Sequence, residues 1–263
     1  MGGHTTLRTA VAGEIATVTL SRPEVKNAFD DAMLRELLEV YRAFADDPSV
    51  RVVVLTGEGD SFCAGADINY MRRTGAYTFE QNYADGMVIS DVMEAIHTLP
   101  KPTIARVNGY AIGGGAGLMA ANDIVVAADT AVISLSEVKI GLVPACISPY
   151  VVLRAGAGAC REFFLTGERL TAEKAFRLGL VNAVVPREAL DDEVATIAKR
   201  TLSGGPEALR VCKDLLDDVM FMPLSEAKAH TARVIAEVRA SDEAREGMAA
   251  FLEKRKARWN RGS

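Results

Sequence analysis

Glu14-Ile-Ala-Thr-Val-Thr-Leu20 is the first of three consecutive segments that decide the fold, because its β-branched residues predict a strand that Pro23 ends. Asp30 can cap a following helix, whose apolar residues recur on one face up to about Asp47. Arg51-Val-Val-Val-Leu-Thr56 is almost wholly apolar, which is typical of a strand buried on both sheet faces. Strand, helix and strand in this order predict a βαβ unit and hence an α/β fold.

The same alternation of strand and helix patterns continues to about residue 145. In chain order, the sequence predicts a polar loop, a helix, a strand, a helix of small residues and two strands at residues 57–74, 79–98, 101–107, 113–121, 123–128 and 131–135. Beyond these elements the pattern becomes mainly helical. We therefore expect a core at residues 5–190 and a helical region at residues 191–263 that packs on the core or on a neighbouring subunit.

The composition is that of a globular protein. The chain has 263 residues, of which 49% are hydrophobic and 25% are charged, so it can bury a substantial core. Lys and Arg number 30 against 35 Asp and Glu, which gives a formal net charge of -5. Because nucleic-acid-binding proteins usually carry a basic excess, we expect no nucleic-acid partner.

Cysteine and histidine usage argues against zinc sites and disulfides. Cys63, Cys146, Cys160 and Cys212 are widely spaced with no CxxC pair, and the three histidines are isolated. This pattern is typical of a reducing compartment. The sequence has neither a long uncharged apolar window nor a secretory signal pattern, so we expect a cytoplasmic protein with no membrane partner.

The motifs of several large enzyme classes are missing, and two glycine-bearing turns remain. There is no dinucleotide GxGxxG, Walker loop, GxSxG or HExxH, which disfavours hydride transfer, phosphoryl transfer and serine hydrolysis. The turns are Cys63-Ala-Gly-Ala-Asp-Ile68 and Tyr110-Ala-Ile-Gly-Gly-Gly-Ala116. Such turns can leave N–H groups aimed outward, and two that face each other form an oxyanion hole. The glycines can equally serve only tight turns and close helix packing.

Four segments carry a family pattern: Asn27-Ala-Phe29, Phe62-Cys-Ala-Gly-Ala-Asp-Ile68, Val107-Asn-Gly-Tyr-Ala-Ile-Gly-Gly-Gly115 and Pro144. Together they resemble the crotonase superfamily of enoyl-CoA hydratases and isomerases. Residues 165–170, 172–181 and 251–255 are similar to that family too, so the resemblance covers nearly the whole chain. It implies a crotonase-like α/β fold of repeated ββα units with nearly perpendicular sheets, and trimers or hexamers assembled through the helical C-terminal region.

The resemblance also implies a function and a set of site residues. The expected substrate is a coenzyme A thioester, whose carbonyl oxygen lies between the backbone N–H groups of Ala66 and Gly114. Fixed donors at that oxygen stabilise the enolate that forms when water adds or a proton moves. The residues expected to contact coenzyme A are Lys26, Ala28, Ala64, Asp67 and Ile68, with Phe251 and Lys254 helping from the C-terminal helix. No metal or redox cofactor is expected, because coenzyme A is part of the substrate.

The acid/base group is where this chain departs from the family pattern. The hydratases of the family place one glutamate after the glycine triplet and another after a later strand. The first position falls on Gly117, which cannot move a proton, and the second falls on Glu137. Apolar neighbours in the sequence can raise the pKa of Glu137 into a useful range. The other interpretation is a surface glutamate paired with Lys139.

A single glutamate leaves three functions open. Glu137 can deliver a proton to Cα while it polarises the attacking water, or it can shuttle one proton between two carbons as an isomerase does. The chain can also be a decarboxylase or a thioester binder without turnover. We favour hydration, because residues 113–118, 136–145 and 147–150 resemble hydratases of branched or carboxylated enoyl-CoAs, such as 3-methylglutaconyl-CoA and carboxygeranoyl-CoA. Arg72 and Arg73 are candidates to bind a distal carboxylate, although exposed arginines are common.

Overall fold

Two β-sheets form the framework of the molecule, a computed structural model that describes residues 3–260. The strands are β1 (Leu7–Ala12), β2 (Ile15–Leu20), β3 (Val52–Gly57), β4 (Ser61–Cys63), β5 (Thr103–Val107), β6 (Tyr110–Ile112), β7 (Ile124–Ala128), β8 (Val132–Ser134), β9 (Arg169–Thr171) and β10 (Ala183–Val185). One sheet has the order β1-β2-β3-β5-β7-β10, and the other has the order β4-β6-β8-β9. All neighbours are parallel except the pairs β1 with β2 and β8 with β9.

Helices follow most of the strands and cover the sheets. They are α1 (Asp31–Asp46), α2 (Ile68–Thr74), α3 (Phe79–His97), α4 (Gly114–Ala120), α5 (Ser148–Thr166), α6 (Ala172–Arg177), α7 (Leu190–Leu202), α8 (Pro206–Met220), α9 (Leu224–Ala240) and α10 (Asp242–Leu252). Short 3-10 helices occupy Pro23–Val25, Glu137–Ile140 and Arg187–Ala189. Among the described residues, no helix combines the length and apolar character needed to cross a membrane.

The chain repeats a unit of two strands and a helix. In each of the pairs β3 and β4, β5 and β6, and β7 and β8, the first strand joins the larger sheet and the second joins the smaller sheet. The helices α2, α4 and α5 follow these pairs. The expected α/β fold of repeated ββα units is therefore confirmed.

The parallel pairing of β4, β6 and β8 positions three turns at one edge of the smaller sheet. Tyr110 is paired with Ser61 on one side and with Val132 on the other. Parallel neighbours end at the same edge, which is where ligands commonly bind in α/β proteins. The segments that leave this edge begin at Ala64, at Gly113 and at Leu135.

Helix α1 forms where its apolar periodicity predicts. The Asp30 carboxylate accepts a hydrogen bond of 3.0 Å from the N–H of Met33, which caps the first turn. Its buried face joins the main core through Met33, Leu34, Leu37, Val40, Tyr41 and Phe44.

A second apolar cluster involves α7 and the larger sheet. Helix α7 contributes Leu190, Val194 and Ala198 to it. The sheet contributes the buried residues Val52, Val54, Ile104, Val126 and Ala128. Strand β3 therefore contributes buried side chains to both clusters, because Val53 and Leu55 belong to the main core. This agrees with its nearly continuous apolar sequence.

The polar loop predicted at residues 57–74 is wrong, because this segment contains β4 and α2. Strand β4 has three residues, which is too short to show an alternating pattern. Helix α2 has seven residues and is capped by the buried side chain of Asp67. Strands β1, β6, β9 and β10 also lie outside the predicted elements. Except for β1, each has only three residues, so its pairing partner and not its own sequence defines it.

Helices α8 and α9 contain no buried residue. Leu216, Phe221 and Leu224 are large exposed apolar side chains in and between these helices. Helix α8 is attached to the core by an ion pair of 2.7 Å between Lys213 and Asp123. The division into a core at residues 5–190 and an oligomerisation region at residues 191–263 stays a prediction, and residues 261–263 of that region lie outside the described residues.

We expect the Leu37→Ala variant to lose about 2 to 5 kcal/mol of unfolding free energy, because Leu37 is fully buried in the main core and its truncation leaves a cavity. Urea unfolding followed by circular dichroism measures the loss. Glu39→Ala, on an exposed position of the same helix, is the control and should change stability little. Equal losses in both variants would contradict this assignment of the core.

Candidate active site

The first turn follows β4 and presents the backbone N–H of Ala66. Gly65 has φ +91°, a conformation that side chains disfavour, and it turns the chain sharply here. The N–H of Phe29 donates to Gly65 O at 2.8 Å, and the N–H of Asp67 donates to Phe29 O at 2.9 Å. Because these bonds of a parallel bridge use the residues that flank Ala66, its own N–H points away from Phe29. No residue among 3–260 accepts a hydrogen bond from it.

The second turn follows β6 and presents the backbone N–H of Gly114. Gly113 has φ +53°, and its N–H donates to Ser134 O at 2.7 Å. Gly114 begins α4, so its N–H has no acceptor within the helix, and the described residues supply none from elsewhere. A β-carbon built on Gly65 would lie 3.7 Å from the nitrogen of Gly114. The structure therefore brings the two predicted turns into contact.

Glu137 follows β8 and lies against the second turn. Its Oε1 is 3.1 Å from the position of a β-carbon on Gly113. Its Oε2 is buried without a hydrogen-bond partner in the described part of the chain. Burial raises the pKa of this carboxyl group, and a hydrogen bond from its own backbone N–H offsets only part of that effect. None of the ion pairs among residues 3–260 joins Glu137 to Lys139, which disfavours the surface-pair interpretation.

Gly117 marks the place where the family resemblance puts another carboxylate, and apolar side chains fill it. A β-carbon on Gly117 would lie 2.1 Å from Cγ2 of Ile147 and 3.3 Å from Cε of Met93. Both neighbours are buried. The position of the missing carboxylate is therefore an apolar wall, and the carboxylate of Glu137 lies against the second turn.

Lys26 and Asn27 form a strained bend beside the first turn. Their φ angles are 54° and 56°, which is unusual for residues with side chains. The buried amide of Asn27 holds the bend by donating to Ser61 O at 2.8 Å. Lys26 O accepts a hydrogen bond of 3.0 Å from the N–H of Ala64, while its ammonium group lies 5.3 Å from the centre of the Tyr110 ring. Lys26 and Ala64 are thus joined through their backbones, and their predicted contact with coenzyme A stays a prediction.

Asp67 is occupied by contacts within the protein. Its Oδ1 accepts hydrogen bonds from the N–H groups of Asn69 and Tyr70, and its Oδ2 pairs with Arg22 at 3.0 Å. Burial opposes ionisation of Asp67, but these backbone donors and the Arg22 guanidinium outweigh it and lower the pKa. Asp67 therefore organises the turn. Its predicted contact with coenzyme A stays a prediction.

The remaining residues of the expected coenzyme A site differ in exposure. Ile68 is 74% exposed beside the first turn, whereas Ala28 is buried. Ala28 O accepts a hydrogen bond of 2.6 Å from Arg22, so Arg22 connects the strained bend to Asp67. Exposed Ile68 is thus available to a ligand, whereas Ala28 can contribute little more than its backbone.

Phe251 and Lys254 do not lie at the two turns within one chain. Gly247 of α10 packs against Trp259, and the carbonyl of Trp259 accepts a hydrogen bond of 3.1 Å from Arg51. Arg51 immediately precedes β3, so this contact lies at the amino end of β3. The two turns instead follow the carboxyl ends of β4 and β6. The predicted contribution of Phe251 and Lys254 to binding stays a prediction.

The two candidate arginines are exposed and lie on α2. Arg73 forms an ion pair with Asp31 and lies 5.7 Å from the centre of the Tyr70 ring. Arg72 donates to the side chain of Asn69 at 3.3 Å. Arg73 is therefore the more strongly held of the two, and Arg72 is the better candidate to reach a ligand.

Three structural features of the site were not predicted from the sequence. They are the ion pair of Arg22, the bridging position of Phe29 and the wall formed by Ile147. Arg22 immediately precedes Pro23, where the sequence indicates only the end of a strand. The wall has no local signal, because Ile147 lies 30 residues from Gly117 along the chain. The side chain of Cys63 is fully buried, and burial raises the pKa of its thiol, which disfavours a nucleophilic thiolate.

A cavity of about 720 Å³ lies between α8, α9 and α10, and its lining includes no residue of the turns. The carboxylate of Glu243 in this cavity accepts the N–H groups of Glu207 and Ala208 at 3.1 and 2.8 Å. It therefore caps the first turn of α8, and the candidate site remains at the three strand ends.

Known proteins with related sequences and structures point to one family. Residues 11–262 match the sequence profile described as enoyl-CoA hydratase/isomerase. A crotonyl-CoA hydratase from Syntrophomonas wolfei is 37% identical over 93% of this chain and 94% of its own. The crystal structure of an enoyl-CoA hydratase from Shewanella pealeana superposes with a TM-score of 0.94 at 36% identity, covering 97% of this chain and 96% of the other.

We expect Gly117→Ala to destabilise the protein by about 1 to 3 kcal/mol, because the added methyl group overlaps Ile147. Ile147→Ala should remove most of that penalty when the two substitutions are combined. Urea unfolding of the wild-type protein, the two single variants and the double variant gives the coupling energy. Gly158→Ala is the matched control, since nothing lies within 4 Å of its β-carbon position. Additive effects of Gly117→Ala and Ile147→Ala would contradict the apolar wall.

Proposed function

The chain belongs to the enoyl-CoA hydratase/isomerase family, and on that premise we propose that it adds water reversibly to the double bond of a 2-enoyl-coenzyme A thioester. One observation carries the proposal. The unpaired N–H groups of Ala66 and Gly114 lie at adjacent strand ends, and the buried carboxylate of Glu137 lies beside them. Hydration of a conjugated thioester needs these two kinds of group.

The two N–H groups act on the thioester carbonyl oxygen. Attack at Cβ moves an electron pair through Cα to that oxygen, which becomes an enolate oxygen. Donors held in place by secondary structure stabilise this charge without reorganising, and the loss of one such donor typically costs about 100- to 1,000-fold in rate. Gly65 O and Asp67 N–H are both bonded to Phe29, so the donor on Ala66 is fixed before the substrate binds.

Glu137 supplies the proton transfer. Its carboxylate takes a proton from water as the water oxygen bonds to Cβ, and the resulting carboxylic acid then gives that proton to Cα of the enolate. The carboxylate is regenerated and the atoms balance. Because a single side chain serves both carbons, hydroxyl and hydrogen add to the same face, which is syn addition. A raised pKa suits this exchange, because the group must accept and return a proton near neutral pH.

The proposed reaction is redox neutral and requires no metal ion or redox cofactor, and coenzyme A enters only as part of the substrate. Lys26, Ala28, Ala64 and Ile68 adjoin the first turn and are proposed to contact the coenzyme A portion. Phe251 and Lys254 are proposed to act from a neighbouring copy in a trimer or hexamer. The lack of buried residues in α8 and α9 supports such an assembly.

A second candidate function is isomerisation of a 3-enoyl-CoA. The specific observation that favours it is the apolar wall at Gly117, where Ile147 and Met93 leave no room for another proton-transfer group. A single carboxylate is sufficient to remove a proton from one carbon and return it to another. Hydration stays the first proposal because the related proteins named above are hydratases.

We propose a branched or carboxylated 2-enoyl-CoA, such as 3-methylglutaconyl-CoA, as the substrate. The support is the sequence resemblance of residues 136–145 and 147–150 together with the exposure of Arg72. A guanidinium group can bind a carboxylate through two hydrogen bonds, which discriminates a charged acyl end from a neutral one.

Glu137→Gln should lower kcat by about 100- to 10,000-fold, because an amide cannot accept and return the proton. The wild-type rate should fall as the pH is lowered, with a midpoint above the ordinary glutamate value of 4.5, since the carboxylate is the active resting form. Steady-state kinetics between about pH 4 and 8 measure both effects.

Glu173→Gln, an exposed carboxylate on α6, is the control and should retain the wild-type rate and pH profile. Full turnover by Glu137→Gln would remove this residue from the mechanism. A profile without an acid limb above pH 4.5 would contradict a raised pKa at the catalytic group.

Three substrates separate the candidate functions. Crotonyl-CoA and 3-methylglutaconyl-CoA should lose their conjugated thioester absorbance as water adds, whereas an isomerase would create that absorbance from a 3-enoyl-CoA. We expect hydration, with Arg72→Ala raising KM for 3-methylglutaconyl-CoA but not for crotonyl-CoA. Equal KM changes for both would exclude Arg72 from carboxylate recognition. Coenzyme A binding without turnover of any substrate would instead favour a binding protein.

A further inference from the structure

Phe29 contacts both turns of the proposed oxyanion site. Its backbone forms the parallel bridge with Ala66 through hydrogen bonds to Gly65 and Asp67. Its ring extends to the other turn, where Cε1 and Cζ lie 2.5 and 2.7 Å from the position of a β-carbon on Gly114. One residue therefore touches the two segments that carry the N–H donors.

The ring of Phe29 is held rigidly from its other side. It is only 2% exposed and makes an edge contact with the Tyr70 ring at a centroid separation of 6.1 Å. The hydroxyl group of Tyr70 donates to Asp85 on α3 at 2.6 Å. The ring is thus fixed between α2 and the first turn of α4, and it cannot move away from Gly114 without disturbing Tyr70.

We propose that Phe29 is a positioning residue that fixes the separation between the N–H donors of Ala66 and Gly114. This rests on the proposed function of the site. The backbone of Phe29 holds the first donor and its ring supports the second. The positions of both donors therefore depend on the same residue. The pairing of β4 with β6 sets where the two turns begin, but no described hydrogen bond joins the two donor residues directly. Beyond the paired strands, the Phe29 residue contacts both turns.

Small errors in donor placement have large consequences for rate. A misplacement of about 1 Å can cost on the order of 100-fold in turnover, because the donors must match the oxygen in the transition state. Phe29→Leu shortens the side chain and removes the ring atoms beside Gly114, but it keeps an apolar group in the core. It therefore allows the second donor to shift while the first stays bonded.

Phe29→Leu should lower kcat by about 100-fold with little change in KM. The second readout is the absorbance of a bound aryl-conjugated enoyl-CoA, which moves to longer wavelength when hydrogen bonds polarise its carbonyl group. The wild-type protein should show this shift, and Phe29→Leu should show a smaller one. Phe29→Met, which conserves volume, provides the same measurements if Phe29→Leu does not fold.

Phe44→Leu is the matched control, because Phe44 is also fully buried but lies on α1 away from the turns. It should lose comparable stability and keep the wild-type kcat and spectral shift. A full spectral shift in the Phe29 variants would overturn the positioning role while leaving the proposed function intact. An equal loss in Phe44→Leu would also overturn it. No shift in the wild-type protein would contradict the proposed function and this inference together.

Discussion

The structure of the site depends on the parallel pairing of β4, β6 and β8. Three short strands end at one edge, so residues that are far apart in sequence begin their turns side by side. Ala66, Gly114 and Glu137 each follow a different one of these strands. Both sheets contribute buried residues to the main core, and the edge of the smaller sheet carries the candidate site.

Conformational strain beside the first turn is balanced by buried polar contacts. Lys26 and Asn27 both adopt left-handed backbone angles, which cost roughly 1 to 2 kcal/mol per residue with a side chain. The Asn27 amide donates to Glu58 O and Ser61 O, and the Arg22 N–H donates to the carbonyl oxygen of that amide. Several hydrogen bonds therefore hold the bend in this conformation, as expected for a preorganised site. Since Lys26 O binds the N–H of Ala64, this rigidity reaches the first donor turn.

Local sequence patterns predict most of the long elements and only some of the short ones. Helix α1 and strands β2 and β3 were predicted because their apolar residues repeat over several turns or pleats. The three strands that carry the site have three residues each: β8 falls within the strand predicted at residues 131–135, whereas β4 and β6 were not predicted and are defined by pairing with their neighbours. The identities of Ala66, Gly114 and Glu137 came from the family resemblance. The contacts of Phe29 with Gly114 and of Ile147 with Gly117 are long-range packing events that one sequence cannot reveal.

The carboxylate of Glu137 lacks the partners that usually stabilise a charged group. Its Oε2 is buried without a hydrogen-bond partner, and no ion pair among residues 3–260 includes it. Burial alone then raises its pKa, and the neutral and charged forms become closer in free energy. A single group in that condition can take and return a proton with a small energetic difference between the two steps. The environment of Glu137 is therefore suited to the two proton transfers that we propose for it.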